Sequence, residues 1–305
     1  MVQQASKNAL GNGGGRKARP DKGHAKNGKA RFDHVYNQPD PRPYFQTLER
    51  VGYEIPAHGQ AVFSLLADRL RAERGRPDLT VLDLCCSYGV NGALLNHEVT
   101  LDLLYERYRS PELAALSSRE LAASDAAFYA GCRRESPARV VGIDTASRAV
   151  GYALRAGLLD EGSDENLEFA EPSAALSRQL AQVDLITVTG GIGYISERTF
   201  ARVLDAATGA PWVASFALRW VAYEPISAVL AKYGLVTETL ATRTFPQRRF
   251  ADDGERSYVL SELRRMGIDP TDKEEEGRYH ANFYLSRPAP QVRAAPLEEL
   301  TAAAV

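Results

Sequence analysis

From residue 80 onward, short apolar segments alternate with amphipathic segments of helical spacing, and this alternation limits the possible folds more than any other feature. The apolar segments are TVLDL (80–84), RVVGID (139–144), NLEFAE (166–171), VDLITVTG (183–190) and PWVASFALRW (211–220). Strands joined by helices pair in parallel through right-handed crossovers, which cover both faces of the sheet. We therefore predict an α/β fold with a Rossmann-like, mostly parallel seven-stranded sheet and helices on both faces.

The end of the chain breaks this pattern. The two last predicted strands are LVTETLATRTF (235–245) and HANFYLSRP (280–288), and a charged, helical stretch (253–277) separates them. So short a helical link is more typical of a hairpin than of a crossover. We predict that the sheet ends in an antiparallel strand.

The segments around this core differ in composition, and they predict the domain organisation. Residues 1–32 are basic and poor in apolar residues, which is typical of a disordered tail. Residues 33–77 contain two helical segments that break near Pro56, and we interpret them as a helical lid over the domain formed by residues 78–288. Within that domain, residues 98–137 are predicted to be a helical insertion. The Ala/Pro-rich residues 289–305 are predicted to be flexible.

The composition is that of a globular protein and argues against several classes of function. The chain has 305 residues, 44% of them hydrophobic, and a formal net charge of −2, which disfavours a dedicated nucleic-acid binder. Its three cysteines form neither a disulfide framework nor a metal-binding pattern. No apolar run reaches the ~20 residues of a membrane span. We expect a cytoplasmic protein without a metal or membrane partner, and a homodimer remains open.

Candidate site residues follow the ends of the predicted strands. In an open parallel sheet, ligands bind outside the carboxyl ends of the strands, at the point where the strand order reverses. The residues at those positions are Asp83, Cys85, Ser87 and Gly89 after the first strand, Asp144 after the second, Glu171 after the third, and Thr189, Gly190 and Tyr194 after the fourth.

The two acidic residues Asp144 and Glu171 predict the kind of ligand. A carboxylate at the end of the second strand can accept hydrogen bonds from both hydroxyls of a ribose. Alternatively, Asp144 caps the helix that begins near Ser147. Glu171 could orient an adenine edge, or it could be an exposed loop carboxylate.

The motifs VLDLCCSYG, VVGID and DLITVTGG, in this order, resemble motifs of class I S-adenosylmethionine-dependent methyltransferases. The resemblance covers roughly residues 78–288, and it implies S-adenosylmethionine as the cofactor. Asp83 and Gly89 match the acidic residue and the last glycine of the first motif. Cys86 and Tyr88 depart from the glycines that are usual there.

This departure argues against a dinucleotide. A pyrophosphate needs the bare backbone of G-x-G-x-x-G, whereas Cys85 to Tyr88 carry side chains. A ligand without phosphates tolerates them better. The adjacent cysteines Cys85 and Cys86 have no obvious histidine partner, so we interpret them as small packing residues rather than nucleophiles.

The resemblance also implies roles for residues outside the motifs. Tyr194 is placed to face the sulfonium as a cation–π partner, or it is a core tyrosine. In the lid, Tyr36, Tyr44 and Tyr53 could close the pocket, and Arg42 could pair with the methionine carboxylate of the cofactor or be a solvated charge. Because the motif of nucleic-acid amino-methyltransferases is missing after DLITV, the expected acceptor is a small molecule, free or bound to a carrier, as in secondary metabolism.

Two other functions remain open. The segment YNQPDPRPYF, the turn LDLCCSYGVNGALLN and the tyrosine after the fourth strand also resemble bacterial azetidine-2-carboxylate synthases. In those enzymes the amine of S-adenosylmethionine attacks its own γ-carbon and expels methylthioadenosine. The third possibility is a methyltransferase-like domain that binds ligands or partners without turnover.

Overall fold

The computed structural model describes residues 33–302, which form one mixed sheet surrounded by helices. The strands are β1 (Thr80–Leu84), β2 (Arg139–Ile143), β3 (Glu161–Ser163), β4 (Leu185–Thr189), β5 (Trp212–Leu218), β6 (Leu235–Thr239), β7 (Phe245–Arg249) and β8 (Arg278–Pro288). Their order is β3-β2-β1-β4-β5-β8-β6, and β7 also pairs with β8. Strands β1 to β5 pair in parallel, which confirms the predicted α/β class.

The antiparallel strand lies inside the sheet rather than at its edge. β8 is inserted between β5 and β6 and is antiparallel to both. It is 11 residues long, so its carboxyl-terminal part pairs with β6 while its amino-terminal part pairs with β7. The segment 235–245, predicted as one strand, is divided between β6 and β7. This division gives eight strands where seven were expected.

The third strand was placed wrongly. Residues 166–171 were predicted to be a strand, but the strand beside β2 is Glu161–Ser163. The backbone N–H groups of Phe169 and Ala170 both donate to the carbonyl oxygen of Asn166, which folds the apolar segment into a turn. Leu167 and Phe169 have the i, i+2 spacing of one strand face, but Leu167 is buried and Phe169 is exposed, so the two side chains do not share a face.

Fourteen α-helices lie within the described part of the chain. They are α1 (Asp33–Tyr36), α2 (Arg42–Arg50), α3 (Ile55–Arg74), α4 (Val90–Asn96), α5 (Leu101–Arg109), α6 (Pro111–Ala114), α7 (Ser118–Gly131), α8 (Ser147–Arg155), α9 (Ala174–Leu180), α10 (Glu197–Ala206), α11 (Glu224–Lys232), α12 (Asp253–Arg265), α13 (Ala289–Ala294) and α14 (Leu297–Thr301). None of these helices has both the length and the apolar character needed to cross a membrane.

Hydrophobic cores cover both faces of the sheet because neighbouring strand residues point to opposite sides. Val81 and Trp212 belong to the core that includes α3, α4 and α8, while Leu82 and Val213 belong to the core that includes α9, α10 and α11. The polar-to-apolar alternation expected of a one-sided sheet is absent from β5, where all seven residues are buried. The central strands therefore show the continuous apolar pattern of a sheet covered on both faces.

The predicted lid (33–77) consists of two parts with different packing. Helix α3 belongs to the core: Leu66 is buried, and Phe63 lies edge-on to Phe216 of β5 with ring centroids 5.7 Å apart. Helices α1 and α2 contact the turn after β1 through Tyr88. There, the Tyr88 hydroxyl donates to backbone oxygens and accepts a hydrogen bond from the N–H of Gln38 at 2.8 Å.

The carboxyl-terminal segment is ordered through residue 302, contrary to the prediction of a flexible tail. Leu297 and Leu300 of α14 are buried in the core. Glu238 fixes this helix because it accepts hydrogen bonds from the Leu297 N–H at 2.8 Å and from the buried Arg287 at 2.7 Å. The predicted basic tail, residues 1–32, lies outside the described residues.

Candidate functional site

A cavity of about 560 Å³ opens at the carboxyl ends of β1, β2 and β4. This volume lies within the range of ~300–1,000 Å³ that is typical of small-molecule sites. The strand order reverses between β1 and β4, so the cavity is at the switch point of the sheet. The predicted site residues that line it are Tyr36, Cys85, Ser87, Asp144, Thr189, Gly190 and Tyr194.

The turn between β1 and α4 has an unusual backbone. Cys85 and Ser87 adopt left-handed conformations with φ of 60° and 49°, and Gly89 follows with φ of 77°. A residue with a side chain pays roughly 1–2 kcal/mol for this conformation. The Cys85 N–H donates to the carbonyl oxygen of Ile143 at 2.8 Å, which ties the turn to β2. The turn thus has the left-handed backbone that favours glycine at three positions, of which only Gly89 is a glycine.

Ser87 carries an unsatisfied hydroxyl into the cavity. Its residue is buried, and its Oγ has no hydrogen-bond partner within the described residues. Buried polar atoms without partners are rare because each costs about 1–3 kcal/mol. The Ser87 hydroxyl is therefore available for a polar group of a ligand.

Asp144 connects the ends of β1 and β2. Its Oδ2 accepts a hydrogen bond from the Ser87 N–H, and its Oδ1 accepts one from the Ala146 N–H, both at 2.9 Å. Helix α8 has no side-chain cap, so the alternative role of Asp144 as its cap is wrong. Burial raises the pKa of Asp144, and the two hydrogen bonds oppose this rise. Each oxygen keeps a lone pair for a further donor.

Asp83 and Gly89 lie behind the cavity wall instead of lining it. Asp83 is 1% exposed, and burial raises its pKa to about 7 although Asn91 and Thr187 donate hydrogen bonds to its Oδ1. A Cβ at Gly89 would lie 3.0 Å from the Cβ atoms of Ala153 and Leu158, so glycine allows α4 and α8 to approach. Both residues support the turn.

Asn91 is a cavity residue that the sequence analysis missed. Its Nδ2 donates to Asp83 Oδ1 and to Thr189 Oγ1, each at 2.8 Å, and it lines the cavity between them. It therefore connects the turn after β1 with the end of β4. Its position in the sequence, two residues after Gly89 and at the start of α4, is the feature from which its place in the cavity could have been predicted.

The predicted carboxylate after the third strand is the wrong one. Glu171 lies outside the cavity lining, its side chain is 73% exposed, and it pairs with Arg202 at 2.8 Å. Because residues 166–171 form a turn, the carboxylates that line the cavity are Glu165 and Glu168 instead.

Both lining glutamates are held firmly by hydrogen bonds. Glu165 accepts from the N–H and hydroxyl of Ser173 at 2.7 and 2.8 Å. Glu168 accepts from the N–H and hydroxyl of Ser196, both at 2.8 Å, and from the Thr199 hydroxyl at 2.6 Å. Burial raises the pKa of each glutamate, but these bonds outweigh burial and the pKa falls below its usual value. Both are ionised at neutral pH.

Arg42 is a structural residue in this fold. Its guanidinium pairs with Asp40 through bonds of 2.8 and 2.7 Å, and it donates to the carbonyl oxygens of Leu113 and Leu116 at 3.0 and 2.9 Å. It does not line the cavity. The prediction that it contacts a ligand carboxylate is therefore wrong, because its donors join α2 to the helical insertion.

Aromatic side chains form one wall of the cavity. Tyr36, Tyr44 and Tyr53 line it together with Tyr194. The rings of Tyr36 and Tyr44 meet edge-on with centroids 5.6 Å apart. Burial raises the pKa of Tyr36 and of Tyr53, so these phenols stay neutral at physiological pH. The wall offers electron-rich ring faces and neutral hydroxyl groups.

The loop after β4 needs its glycines. Gly190 has φ of 71°, and a Cβ there would lie 3.2 Å from the Tyr53 hydroxyl. A Cβ at Gly191 would lie 2.8 Å from Cys85 Sγ, closer than side chains can approach. The two loops that flank the cavity are therefore in direct contact.

The two adjacent cysteines have no activated thiol. Burial raises the pKa of Cys85 and of Cys86, and the nearby carboxylates Asp83 and Asp144 raise both further. A thiolate nucleophile needs the opposite environment. In addition, no group of three or more His, Cys, Asp or Glu residues within residues 33–302 could hold a metal ion.

Several solved structures are similar to the chain. Magnesium protoporphyrin IX methyltransferase from Synechocystis PCC 6803 with bound SAM is 14% identical with a TM-score of 0.36, covering 80% of this chain and 84% of that one. A TehB-like SAM-dependent methyltransferase from Corynebacterium glutamicum is 14% identical with a TM-score of 0.39, covering 79% and 93%. The plantazolicin methyltransferase BpumL in complex with SAH is 10% identical with a TM-score of 0.41, covering 84% and 93%.

No protein-family model and no curated protein matches the sequence. At identities of 10–14% and TM-scores of 0.36–0.41, the similar structures do not assign an activity to this chain. The functional conclusion therefore depends on the cavity itself.

Proposed function

We propose that the chain is an S-adenosylmethionine-dependent methyltransferase that acts on a small-molecule or carrier-bound acceptor. The observation that carries this proposal is the chemistry of the cavity wall. Among the described residues, the lining includes four tyrosines and the carboxylates Asp144, Glu165 and Glu168, but neither lysine nor arginine. Such a wall attracts a cation and repels phosphates.

The chemistry of this wall distinguishes two adenosine-containing ligands, a dinucleotide and S-adenosylmethionine. The pyrophosphate of a dinucleotide would meet three carboxylates and a turn crowded by the side chains of Cys85 and Ser87. S-adenosylmethionine carries a sulfonium cation and no phosphate, so the same wall suits it. The cavity volume of about 560 Å³ is adequate for a ligand of that size.

Three parts of the proposed cofactor, the ribose, the amino-acid end and the sulfonium, have suitable residues. Asp144, at the end of β2, would accept hydrogen bonds from ribose hydroxyls through its remaining lone pairs. The unsatisfied Ser87 hydroxyl would bind a polar group of the amino-acid end. Tyr194 and the buried tyrosines would contact the cation through their ring faces, an interaction worth ~0.5–2 kcal/mol per ring.

The bound cofactor would supply an electrophilic methyl group. The chain would orient the cofactor and the acceptor and remove water from between them. The carboxylate of Asp144 is fixed by the N–H groups of Ser87 and Ala146, so it needs no reorganisation to bind. Alignment of two reactants in a fixed geometry can contribute ~7–11 kcal/mol to catalysis. Helix α1 and the link to α2, which Tyr88 holds over the turn, would shield this side of the bound cofactor from water.

The aromatic cover favours a second candidate, intramolecular cyclisation of S-adenosylmethionine. Tyr36, Tyr44 and Tyr53 come from α1, α2 and the link to α3, and they enclose the cavity next to the turn after β1. S-adenosylmethionine enclosed in this way needs no second substrate if the amine of its own amino-acid part is the nucleophile. This reaction would release methylthioadenosine, whereas methyl transfer would release S-adenosylhomocysteine.

The test combines binding with product analysis. Calorimetry with S-adenosylhomocysteine should show saturable binding, and NAD should not bind. Incubation with S-adenosylmethionine, alone and with a panel of amine, phenol and carboxylic acid acceptors, would be followed by mass spectrometry. S-adenosylhomocysteine formed only with an acceptor supports methyl transfer. Methylthioadenosine above the rate of an Asp144→Ala control supports cyclisation.

The remaining outcomes contradict the proposal. Saturable binding without either product over the whole panel would favour the non-catalytic alternative. Failure to bind S-adenosylmethionine and S-adenosylhomocysteine, with a folded protein by circular dichroism, would exclude the proposed cofactor.

A further inference from the structure

A second cavity, of about 700 Å³, lies at the opposite edge of the sheet from the proposed cofactor site. Residues at the amino-terminal ends of β1, β2 and β4 line it, among them Thr80, Arg139 and Asp184. Because β1, β2 and β4 are parallel, the five residues of β1 separate the two cavities by about 16 Å. We call it the arginine cavity, because four arginines line it: Arg74, Arg76, Arg133 and Arg139.

Two of these arginines share one carboxylate oxygen. Arg74 and Arg76 both pair with Oδ1 of Asp184, Arg76 at 2.5 Å, while Oδ2 accepts a hydrogen bond from the Thr80 N–H at 2.8 Å. Asp184 is 1% exposed, so its single negative charge lies between two guanidinium groups. Burial and the neighbouring Arg76 lower the pKa of Arg74. The charge of Asp184 balances only one of the two arginines, which leaves a positive charge at the cavity wall.

Arg139 has a guanidinium nitrogen without an acceptor. Its Nη2 donates to Oε1 of Gln179 and lies 3.8 Å from Glu161, whereas its Nη1 is buried and has no hydrogen-bond partner within the described residues. A buried charged donor that lacks an acceptor is costly, more so than a neutral one. Arg133, which is exposed, adds a fourth guanidinium to the lining. The planar donor groups of arginine match the oxygens of a phosphate, so the lining is suited to an oxyanion.

Two further carboxylates restrict the rest of the ligand. Asp78 and Asp160 are exposed residues that also line the arginine cavity. Oδ2 of Asp160 accepts a hydrogen bond from the Val140 N–H at 2.7 Å, and its other oxygen can accept from a ligand. These carboxylates would repel a second anionic group but would accept hydrogen bonds from hydroxyl groups. None of the described residues that line the cavity is aromatic, so a nucleobase would find no ring to stack on.

We propose that the arginine cavity is a second ligand site, which binds a small molecule with one phosphate group and several hydroxyl groups, such as a sugar phosphate. The phosphate would contact the guanidinium groups of Arg76, Arg133 and Arg139, and the hydroxyl groups would donate to Asp78 and Asp160. The volume of about 700 Å³ is within the range of small-molecule sites. This site lies apart from the proposed cofactor cavity, so the inference does not depend on the proposed function.

The experiment measures the binding of three probes to the full chain by calorimetry. Glucose-6-phosphate has both the phosphate and the hydroxyl groups, glucose has only the hydroxyl groups, and inorganic phosphate has only the anion. Glucose-6-phosphate should bind at least tenfold more tightly than either other probe. Arg133→Ala should weaken its binding at least tenfold, because a charged hydrogen bond is lost. Since Arg133 is exposed, the unfolding midpoint of this variant should not change.

The matched control is Arg134→Ala, which removes the next arginine in the sequence, also exposed but outside the cavity lining. It should leave the affinity for glucose-6-phosphate unchanged, and so should Asp144→Ala, which alters the other cavity. Equal losses in the Arg133 and Arg134 variants would indicate unspecific attraction to a basic surface and would overturn the proposal. A loss in the folded Asp144→Ala variant would place the probe in the other cavity, which also overturns it. The same holds if glucose-6-phosphate does not bind, or binds no more tightly than inorganic phosphate or glucose.

Discussion

The backbone N–H of Ser87 donates a hydrogen bond to the carboxylate of Asp144 over 2.9 Å, which joins the turn after β1 to the end of β2. The same carboxylate accepts from the N–H of Ala146. One side chain therefore holds the strained turn in place and faces the cavity with its remaining lone pairs. The geometry of the turn is therefore already fixed when a ligand binds Asp144.

The first prediction concerns this carboxylate. Asp144→Ala should raise the dissociation constant for S-adenosylhomocysteine by 10- to 100-fold, which corresponds to the ~1.5–3 kcal/mol of a charged hydrogen bond. Asp144→Asn should have an intermediate effect because its amide keeps one acceptor oxygen. Calorimetry on the folded variants measures both constants.

Glu171→Ala is the control for Asp144, because Glu171 is an exposed carboxylate outside the cavity. The affinity of the Glu171→Ala variant for S-adenosylhomocysteine should equal that of the unmodified chain. Equal affinities for all the variants would remove Asp144 from the binding site.

The sequence was sufficient to predict the class of fold and the strand ends that form the cavity. Apolar strands such as TVLDL and RVVGI have a strong local pattern, and the edge at which parallel strands end follows from their direction. Asp144 and Ser87 were therefore predicted to lie together from local features alone. Asn91 has no such pattern, since only the folded chain brings its amide between Asp83 and Thr189.

The predictions that Glu171 and Arg42 contact the ligand were wrong, because tertiary contacts decide the roles of both residues. Glu171 follows a segment with strand-like alternation, but the bonds to Asn166 turn that segment and bring Glu165 and Glu168 to the cavity instead. Arg42 could equally have bound a ligand or the chain itself. Its acceptors Leu113 and Leu116 are more than 70 residues away in sequence, so no local pattern reveals them.

The second prediction separates stability from binding at Arg42. Arg42→Ala should lower the free energy of unfolding by about 1.5–3 kcal/mol, because the carboxylate of Asp40 and the carbonyls of the insertion lose their charged donor. The affinity of the folded variant for S-adenosylhomocysteine should change less than threefold. Urea unfolding and calorimetry measure the two effects. A large loss of affinity with unchanged stability would restore Arg42 to the ligand site.

The third prediction concerns the thiols. Because burial raises the pKa of Cys86, its thiol should not react as a thiolate. Cys86→Ala should keep most of the turnover of S-adenosylmethionine while it lowers stability by about 1 kcal/mol, since a small buried side chain is lost. Turnover by mass spectrometry and the unfolding midpoint provide the readouts. Loss of turnover in a variant of normal stability would indicate a thiol mechanism.

The fourth prediction uses the contact between the two loops of the cavity. Gly191→Ala should disturb the site, because the added Cβ would lie 2.8 Å from Cys85 Sγ. We expect at least a tenfold loss of S-adenosylhomocysteine affinity. The double variant with Cys85→Gly removes one of the two clashing side chains and suits the φ of 60° at that position, so it should recover part of the affinity, while Val188 Cγ1 stays 2.9 Å from the added Cβ. No recovery in the double variant would show that the contact with Cys85 is not what excludes a side chain at Gly191.

The fifth prediction follows from the buried carboxyl group of Asp83, whose pKa burial raises to about 7 from its ordinary value of 3.8. Its Oδ2 has no hydrogen-bond partner within the described residues, which is consistent with a protonated oxygen. Between these two pKa values the folded chain binds a proton that the unfolded chain has released. This contribution to stability is complete below about pH 4 and is lost as the pH rises through about 7.

Asp83→Asn removes the titration but keeps an acceptor oxygen for Asn91 and Thr187. The free energy of unfolding of this variant, relative to the unmodified chain, should therefore rise by up to roughly 1.4 kcal/mol per pH unit between about pH 4 and 7. Urea unfolding of both proteins over this range gives the difference, from which the titration of groups that do not interact with Asp83 cancels. A difference independent of pH would mean that Asp83 is ionised in the folded protein, and that Asn91 and Thr187 hold it as a carboxylate.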